Sequence, residues 1–224
     1  MSKDSISSLV IKRLPRYYRF LGDLDAMGIT KISSRELSER MGLTASQIRQ
    51  DLNCFGGFGQ QGYGYNIRDL RYEIGKILGL DVKSKAILIG AGNLGKALAS
   101  HINFDKMGFN LIGIFDNDPA IVGSEITSVT VSDITEIDKF CSTNHPEIAV
   151  LCIPKNAADK LSEKLISLGI KAFWNFSHYD FRLSNHDVIV ENVHLGDSLM
   201  VLSYGLRVKN DELSKSNTLH TSNK

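Results

Sequence analysis

The stretch Ala86–Gly95, AILIGAGNLG, decides the fold of the larger part of this 224-residue chain. Its four opening apolar residues predict a short strand buried on both faces, and a G-x-G-x-x-G spacing leads from that strand into a helical run. Gly90 permits the tight turn, Gly92 lets the backbone approach a pyrophosphate, and Gly95 lets the helix pack closely on the strand. Free N–H groups at the start of the helix attract the anion. The predicted cofactor contacts in this stretch are Gly90, Ala91, Gly92, Asn93, Leu94 and Gly95.

The segments that follow predict a Rossmann-like, doubly wound parallel sheet. A strand over 111–115 ends at Asp116, 21 residues past Gly95, where a ribose-binding carboxylate belongs. No arginine follows to accept a 2′-phosphate, which favours NAD(H) over NADP(H). Further strands are predicted at 148–153, 172–174 and 188–190, with a helix over 156–168. Because ligands bind at the carboxyl ends of such strands, Pro154, Asn175 and Phe176 join the predicted cofactor set. A glycine turn without a ligand, or one that holds coenzyme A, stays open at this point.

The sequence before residue 80 predicts a helix-turn-helix. A first helix is predicted over 5–27, starting or kinking near Pro15. Two capping boxes, at 33–36 and 44–47, each open a short helix, and Gly42 lies in the turn between them.

The second short helix predicts a face that reads DNA. Ile48 and Leu52 lie on its apolar stripe. The opposite face carries side chains that hydrogen-bond to base edges or phosphates, namely Ser46, Arg49, Gln50 and Asn53. An ordinary polar solvent face is the alternative.

Residues 55–65 alternate glycines with aromatic residues and predict a β-hairpin wing with Gln60-Gln61-Gly62 at its tip. A flexible glycine-rich linker is the alternative. After a further helix over 66–80, we place the domain boundaries as follows: a winged-helix domain at 1–82, a Rossmann domain at 83–193, and a terminal helix with a polar tail at 194–224.

Charge and composition limit the function classes. Residues 1–80 carry a net charge of +4 and residues 81–224 one of −3, which hints at a polyanion partner for the first part, unless the difference is scatter. The three cysteines have no metal-binding spacing and fit a reducing cytoplasm. Neither an apolar run of membrane length nor a secretory signal occurs, so we expect a cytoplasmic protein without a membrane partner. None of the candidate histidines, His145, His178 and His186, lies in a recognisable catalytic motif, so we expect no enzyme.

Residues 195–207 predict a helix that is apolar on more than one face, through Leu195, Leu199, Leu202 and Leu206 among others. We expect a partner subunit to bury it, with packing on its own domain as the alternative. Residues 209–224 are polar and are expected to be frayed.

From about residue 9 to residue 208 the chain resembles the Rex family of redox-sensing transcriptional repressors. The motifs that carry the resemblance are Arg13-Leu14-Pro15, Ser46-x-x-Arg49-x-Asp51-Leu52, the glycine and aromatic positions of 55–65, Gly90-x-Gly92-Asn93-Leu94-Gly95-x-Ala97-Leu98, Asp116-x-Asp118-Pro119, Gly169-Ile170 with Asn175-Phe176, and Val190-Glu191-Asn192-Val193.

The resemblance implies a homodimer that binds palindromic double-stranded operator DNA through its winged helices. It also implies one NADH or NAD⁺ per subunit, a C-terminal helix exchanged between subunits, and release of the DNA when NADH binds. The DNA contacts that we predict are Ser46, Gln47, Arg49, Gln50, Asn53, Gln60, Gln61 and Arg13.

The chain departs from the family pattern at several positions. Gln50 and the Gln60-Gln61 tip stand where cations are common, which predicts weaker or altered DNA affinity. His101 and His194 stand where the family often has Tyr and Asp in a network with an arginine, which Arg19 matches here. We therefore predict a switch formed by Arg19, His101 and His194, with His101 also near the cofactor, and either altered NADH/NAD⁺ discrimination or an added pH response. Ordinary polar roles for both histidines are the alternative.

Two other function classes remain for comparison. The first is an NAD-dependent dehydrogenase with an N-terminal interaction module, and the second is a module that binds coenzyme A or another nucleotide through the same glycine turn.

Overall fold

The computed structural model describes residues 6–56, 58, 64–179 and 188–221, with 213–221 described as backbone only. The chain divides into two compact units. The first unit comprises Met1–Lys83 with Lys106–Gly108, and the second comprises Ser84–Asp105 with Phe109–Lys224. Across the described ranges no helix is long and apolar enough to cross a membrane.

The first unit is a small helical domain with a two-stranded sheet. Its elements are α1 (Ser8–Ala26), β1 (Lys31–Ile32), α2 (Ser34–Met41), α3 (Ala45–Asn53), β2 (Tyr65–Asn66) and α4 (Ile67–Ile77). Its core gathers buried side chains from each helix, including Leu14, Leu37, Ile48, Leu70 and Ile74. The helix-turn-helix of α2 and α3 is as predicted, and the two strands that flank it in the chain, β1 before and β2 after, pair as a short antiparallel sheet.

The first helix starts well before Pro15, so the predicted start near that residue is wrong, and the kink there stays a prediction. Ser7 caps the helix by accepting a hydrogen bond from the Leu9 N–H. Val10 is already buried on the same stripe as Leu14. The apolar stripe on both sides of Pro15 therefore keeps one continuous helix despite the missing N–H.

The caps of the helix-turn-helix are largely as predicted. Ser33 and Glu36 form the full reciprocal capping box of α2, which is confirmed. Gly42 ends α2 in the left-handed region, with φ of 63°. Thr44 caps α3 by accepting from the Gln47 N–H, which is one half of the second box.

The strand that returns from the wing region needs a glycine at its start. β1 and β2 pair antiparallel, with Ile32 opposite Tyr65. Gly64 has φ of +73°, and a Cβ there would lie 2.6 Å from the Ile32 carbonyl oxygen. The wing tip predicted at Gln60-Gln61-Gly62 lies outside the described residues.

The second unit is the predicted Rossmann-like sheet. Its strands are β3 (Ser84–Ile89), β4 (Phe109–Asp116), β5 (Glu125–Ile126), β6 (Val129–Asp133), β7 (Ile148–Leu151), β8 (Ala172–Asn175) and β9 (Ile189–Asn192), in the order β5-β6-β4-β3-β7-β8-β9. The pairs from β6 to β9 are parallel, and β5 is antiparallel to β6.

Helices cover this sheet on both sides. On one face lies α5 (Asn93–His101), and on the other lie α6 (Ile137–Asn144) and α7 (Lys155–Ser167). The last helix, α8 (Leu195–Thr221), leaves its apolar side chains exposed. The side chains of β3 alternate between two buried clusters, since Ile87 and Ile89 belong to one and Leu88 to the other. That alternation explains the unbroken apolar run that predicted a strand buried on both faces.

Candidate nucleotide crevice and DNA-reading face

A crevice of about 680 Å³ lies at the carboxyl ends of the central strands of the second unit. The chain leaves β3 towards β4 and β6 on one side and then returns to β7 on the other, so β3 and β7 flank the point where the strand order reverses. Open α/β sheets bind ligands at that point. Its lining residues are Ile89, Gly90, Gly92, Asp116, Asn117, Asp118, Ile121, Ile134, Cys152, Ile153, Pro154, Ala157, Lys160 and Leu161.

The three motif glycines have three different local environments. Gly90 has φ of +96°, and a Cβ there would lie 2.5 Å from the Cys152 carbonyl oxygen. A Cβ on Gly95 would lie 1.8 Å from the Gly90 carbonyl oxygen, so only glycine lets α5 pack on this turn. A Cβ on Gly92 would meet no protein atom within 4 Å. The open space at Gly92 therefore lies where the N-terminus of α5 meets the crevice.

Asp116 ties the glycine turn to the end of the neighbouring strand. Its Oδ2 accepts a hydrogen bond from the Ala91 N–H at 2.6 Å, and its Oδ1 accepts one from the Asp118 N–H at 2.9 Å. The carboxylate is half-buried and lines the crevice. Each oxygen keeps further acceptor capacity, which is what recognition of a ribose hydroxyl needs.

Sequence reasoning missed the wall of the crevice opposite the glycine turn. Ala157, Lys160 and Leu161 come from α7, while Ile121 and Ile134 come from the connections around β5 and β6. The spacing of three and four residues within α7 is the signal that could have placed one face of that helix at the crevice. Apolar side chains there would pack on a flat base, and Lys160 adds a cation at the edge.

Asn175, Phe176 and His101 do not line the crevice, and their place in the cofactor set stays a prediction. The Asn175 amide is 1% exposed and binds within the protein: it donates to the Tyr179 carbonyl and Asn192 Oδ1, and accepts from the Ser177 N–H and hydroxyl. Phe176 is buried against Trp174. His101 ends α5, roughly 12 Å from the glycine turn at 1.5 Å per residue, and lines a separate cleft. Of Pro154, Asn175, Phe176 and His101, only Pro154 lines the crevice.

The two cysteines of the second unit are poor nucleophiles. Burial raises the pKa of Cys152 to about 12, and burial also raises the pKa of Cys141. Both therefore stay protonated near neutral pH. Across the described residues, no group of three or more His, Cys, Asp or Glu side chains is arranged to hold a metal ion.

The predicted reading face of α3 is on the surface of the first unit. Ser46, Arg49, Gln50 and Asn53 are exposed, while Gln47 is half-buried. Ile48 and Leu52 fill the core beneath them. Arg49 donates to the Ser34 hydroxyl at 3.1 Å, so it is partly oriented before any ligand binds. Gln60 and Gln61 lie outside the described residues.

Arg13 has an internal partner that the sequence did not indicate. Its Nε and Nη2 donate to the two carboxylate oxygens of Asp51, each at 2.7 Å. Asp51 belongs to α3, is 2% exposed, and also accepts from the Tyr17 hydroxyl at 2.8 Å. The guanidinium of Arg13 therefore joins α1 to α3, and its role as a DNA contact stays a prediction.

The predicted switch residues belong to different units. Arg19 is exposed on α1 in the first unit, whereas His101 and His194 belong to the second. The Nδ1 of His194 lies 3.0 Å from the Nδ1 of His178, a partner that the sequence did not indicate. The switch that combines Arg19 with the two histidines stays a prediction.

A winged helix-turn-helix and a dinucleotide-type crevice in one chain define a class of DNA-binding proteins that respond to a small ligand. Residues 5–53 match the family described as "Putative DNA-binding protein N-terminus", and residues 81–179 match the family described as "CoA binding domain". The chain is 55% identical over 216 residues to the redox-sensing transcriptional repressor Rex of Caldanaerobacter subterraneus subsp. tengcongensis, covering 96% of this chain and 95% of that protein. It belongs to the Rex family of redox-sensing transcriptional repressors.

Other relatives agree. The chain is 52% identical to the protein named Rex in Clostridioides difficile, covering 91% of this chain and 97% of that one. Two solved structures of RSP, one in complex with β-NAD⁺ and operator DNA and one with β-NADH, each match with a TM-score of 0.84. The first is 53% identical and covers 94% of this chain and 96% of its own. The second is 50% identical and covers 95% and 98%.

Proposed function

We propose that this protein is a homodimeric, cytoplasmic repressor that binds palindromic operator DNA and is released from it when NADH occupies the crevice of the second unit. The observation that carries the proposal is the open space at Gly92 between the N-terminus of α5 and Asp116. A pyrophosphate beside that helix end and a ribose beside that carboxylate fit the chemistry of both groups. Relatives of RSP type with NADH and with NAD⁺ bound support the choice of nucleotide.

The DNA-binding half of the proposal rests on α3. Its exposed face offers one cation and several amide and hydroxyl groups, which suit base edges and phosphates. The complex of RSP with operator DNA supports this role. Because Gln50 adds no cation, we expect fewer phosphate contacts and a shallower dependence of binding on salt than in relatives with a basic residue there.

The proposed contact between the two subunits is α8. Leu195, Leu199, Leu202 and Leu206 are 58–68% exposed in the single chain. A stripe of this size is unusual on a monomer and indicates a protein partner. A second copy is the partner that also places two α3 helices on a palindrome.

Substitution of two motif glycines tests the nucleotide site. Gly92→Ala places a methyl group in open space with an ordinary backbone φ of −67°, so we expect a loss of folding stability of no more than about 1 kcal/mol for this helix cap. The methyl group blocks the approach of the phosphates, so the affinity for NADH in a fluorescence titration should fall at least about tenfold. Gly95→Ala should instead unfold the second unit, because its Cβ overlaps the Gly90 carbonyl oxygen.

Coenzyme A is the control ligand for that titration. A wild-type chain that binds coenzyme A more tightly than NADH would favour the nucleotide-binding alternative. Unchanged NADH affinity in Gly92→Ala would contradict the proposed position of the phosphates.

A further inference from the structure

The imidazoles of His178 and His194 form a pair beside the N-terminus of α8. The Nδ1 atoms of His178 and His194 are 3.0 Å apart, the ring centroids are 5.2 Å apart, and the ring planes differ by 21°. The two nitrogens therefore lie between rings that are nearly coplanar and meet edge to edge. That is the geometry of an N–H···N hydrogen bond. Two ligands of one metal ion would instead direct their nitrogens at a third position.

His178 is fixed to the end of β8. Its backbone is in the left-handed region, with φ of +56°. The flanking residues are held by the buried Asn175 amide, which accepts from the Ser177 N–H and donates to the Tyr179 carbonyl. The imidazole of His178 is therefore presented from a hydrogen-bonded turn.

His194 is the residue from which α8 departs. The Val193 N–H donates to the Asn175 carbonyl at 2.9 Å and ends the pairing of β9 with β8. The His194 carbonyl then accepts from the Asp197 N–H in the first turn of α8. In the single chain α8 exposes its apolar side chains, and the Val193 hydrogen bond connects the residue before His194 to β8.

The hydrogen bond between the rings depends on the number of protons that the pair carries. With neither ring protonated, one Nδ1–H donates to the other Nδ1. With one ring protonated the bond persists and is charge-assisted. With both protonated there is no acceptor, and two cations are in contact. A cationic His194 is also unfavourable beside the N-terminus of α8.

Within residues 171–179 and 188–200, the charged and titratable groups besides the pair itself are Lys171, Tyr179, Glu191 and Asp197. Glu191 lies on β9, Asp197 in the first turn of α8, and Tyr179 in the turn after β8. Within the described residues, neither carboxylate forms an ion pair with either imidazole. A contact between two cations at Nδ1 would therefore be uncompensated. His178 is exposed and His194 is half-buried, so protons from solvent reach the pair.

We propose that the His178–His194 pair is a proton-sensitive latch: it fixes the exit of α8 while one Nδ1 remains unprotonated, and it opens when the second proton binds. The inference rests on the proposed function, because it takes α8 as the helix that joins the two subunits. Acidification would then weaken the dimer, and with it the binding of both halves of a palindrome.

Replacement of each of two histidines by Asn in the full chain tests the latch. His178→Asn removes the imidazole but suits the left-handed backbone. His145→Asn is the matched control, because His145 is also exposed with φ of 50° but caps α6. Sedimentation should show a dimer dissociation constant that rises at least about tenfold between about pH 8 and pH 5 in the wild type and His145→Asn. His178→Asn should lose most of that rise. An equal rise in all three proteins would overturn the latch.

Imidazole ¹⁵N NMR of the same proteins separates failure of the latch from failure of the proposed dimer. The resonances of His178 and His194 should titrate as a coupled pair, and those of His194 should titrate alone in His178→Asn. Independent titration of the two rings in the wild type would overturn the latch. Coupled titration in a chain that sediments as a monomer throughout would retain the hydrogen bond and refute both the dimer and the role of the latch in it.

Discussion

The buried carboxylate of Asp51 anchors α3, the helix that we propose reads DNA. Its hydrogen bonds to Arg13 and Tyr17 join α3 to α1 within the first unit. The hydrogen bond that Arg13 donates to Asp51 raises the pKa of Arg13. Burial, followed by the hydrogen bond that Tyr17 donates to Asp51, raises the pKa of Tyr17. Arg13 therefore stays charged and Tyr17 stays a hydroxyl donor, so the network persists over the physiological pH range.

Asp51→Asn should weaken the first unit. It keeps the size of the side chain but leaves the Arg13 guanidinium without its anionic partner, and loss of one member of a buried pair is costly. Because the Arg13 side chain is 27% exposed, water compensates in part, and we expect a loss of about 2 kcal/mol of unfolding free energy. Chemical denaturation monitored on this unit measures the loss, and operator affinity should fall with it.

Glu39→Gln is the matched control for that substitution. It breaks the ion pair between Glu39 and Arg35, whose side chains are 63% and 86% exposed respectively. We expect the unfolding free energy to change by no more than about 0.5 kcal/mol. An Asp51→Asn chain as stable as Glu39→Gln would contradict the structural role of Asp51.

At this scale the sequence was informative where a residue acts through its own backbone or its nearest neighbours. Gly90 and Gly95 follow from the local geometry of a strand, a turn and a helix. The Arg13–Asp51 pair joins positions 38 residues apart, and the Asn175 network depends on Asn192 of the adjacent strand. No local pattern predicts such partners, so the sequence did not indicate the internal hydrogen bonds of Arg13 and Asn175.

Among the elements, α8 departs most from the sequence-based expectation. The tail from residue 209 was expected to be frayed, but the helix continues to Thr221. A helix propagates through polar residues once its first turns are formed, and so the apolar segment supports its polar extension. The prediction missed β5, β6 and α6. β5 has two residues, too few for periodicity to stand out, and α6 has the same eight residues as α2 in length but lacks the capping box that marked α2.

Leu199→Asp tests the role of α8 in the dimer. Leu199 is 67% exposed, and burial of a leucine against a partner contributes about 1.5–3 kcal/mol. Because the substitution occurs in both subunits, the dimer dissociation constant should rise about a hundredfold or more. Sedimentation equilibrium of the full chain gives this constant.

Ser198→Asp is the control for charge on the same helix. Ser198 donates to the Leu195 carbonyl in the first turn, and a carboxylate near a helix N-terminus is favourable. It should leave the dimer intact. A monomeric Ser198→Asp, or a dimeric Leu199→Asp, would show that the leucine stripe is not the contact.

For the whole molecule, the proposed function links two binding equilibria, that of NADH and that of operator DNA. The chain carries +4 in residues 1–80 and −3 in the remainder, so attraction for a polyanion is concentrated at one end. NADH can release DNA only if it binds the DNA-free arrangement more tightly than the DNA-bound one. The same coupling requires operator DNA to weaken NADH binding by the same factor.

The most direct test is the operator affinity of the wild-type dimer in saturating NADH and in saturating NAD⁺, measured at one salt concentration. The account predicts that NADH lowers the affinity for a palindromic operator at least about tenfold relative to NAD⁺, and that Gly92→Ala removes the difference. Equal operator affinity with the two nucleotides, when both are shown to occupy the crevice, would contradict it.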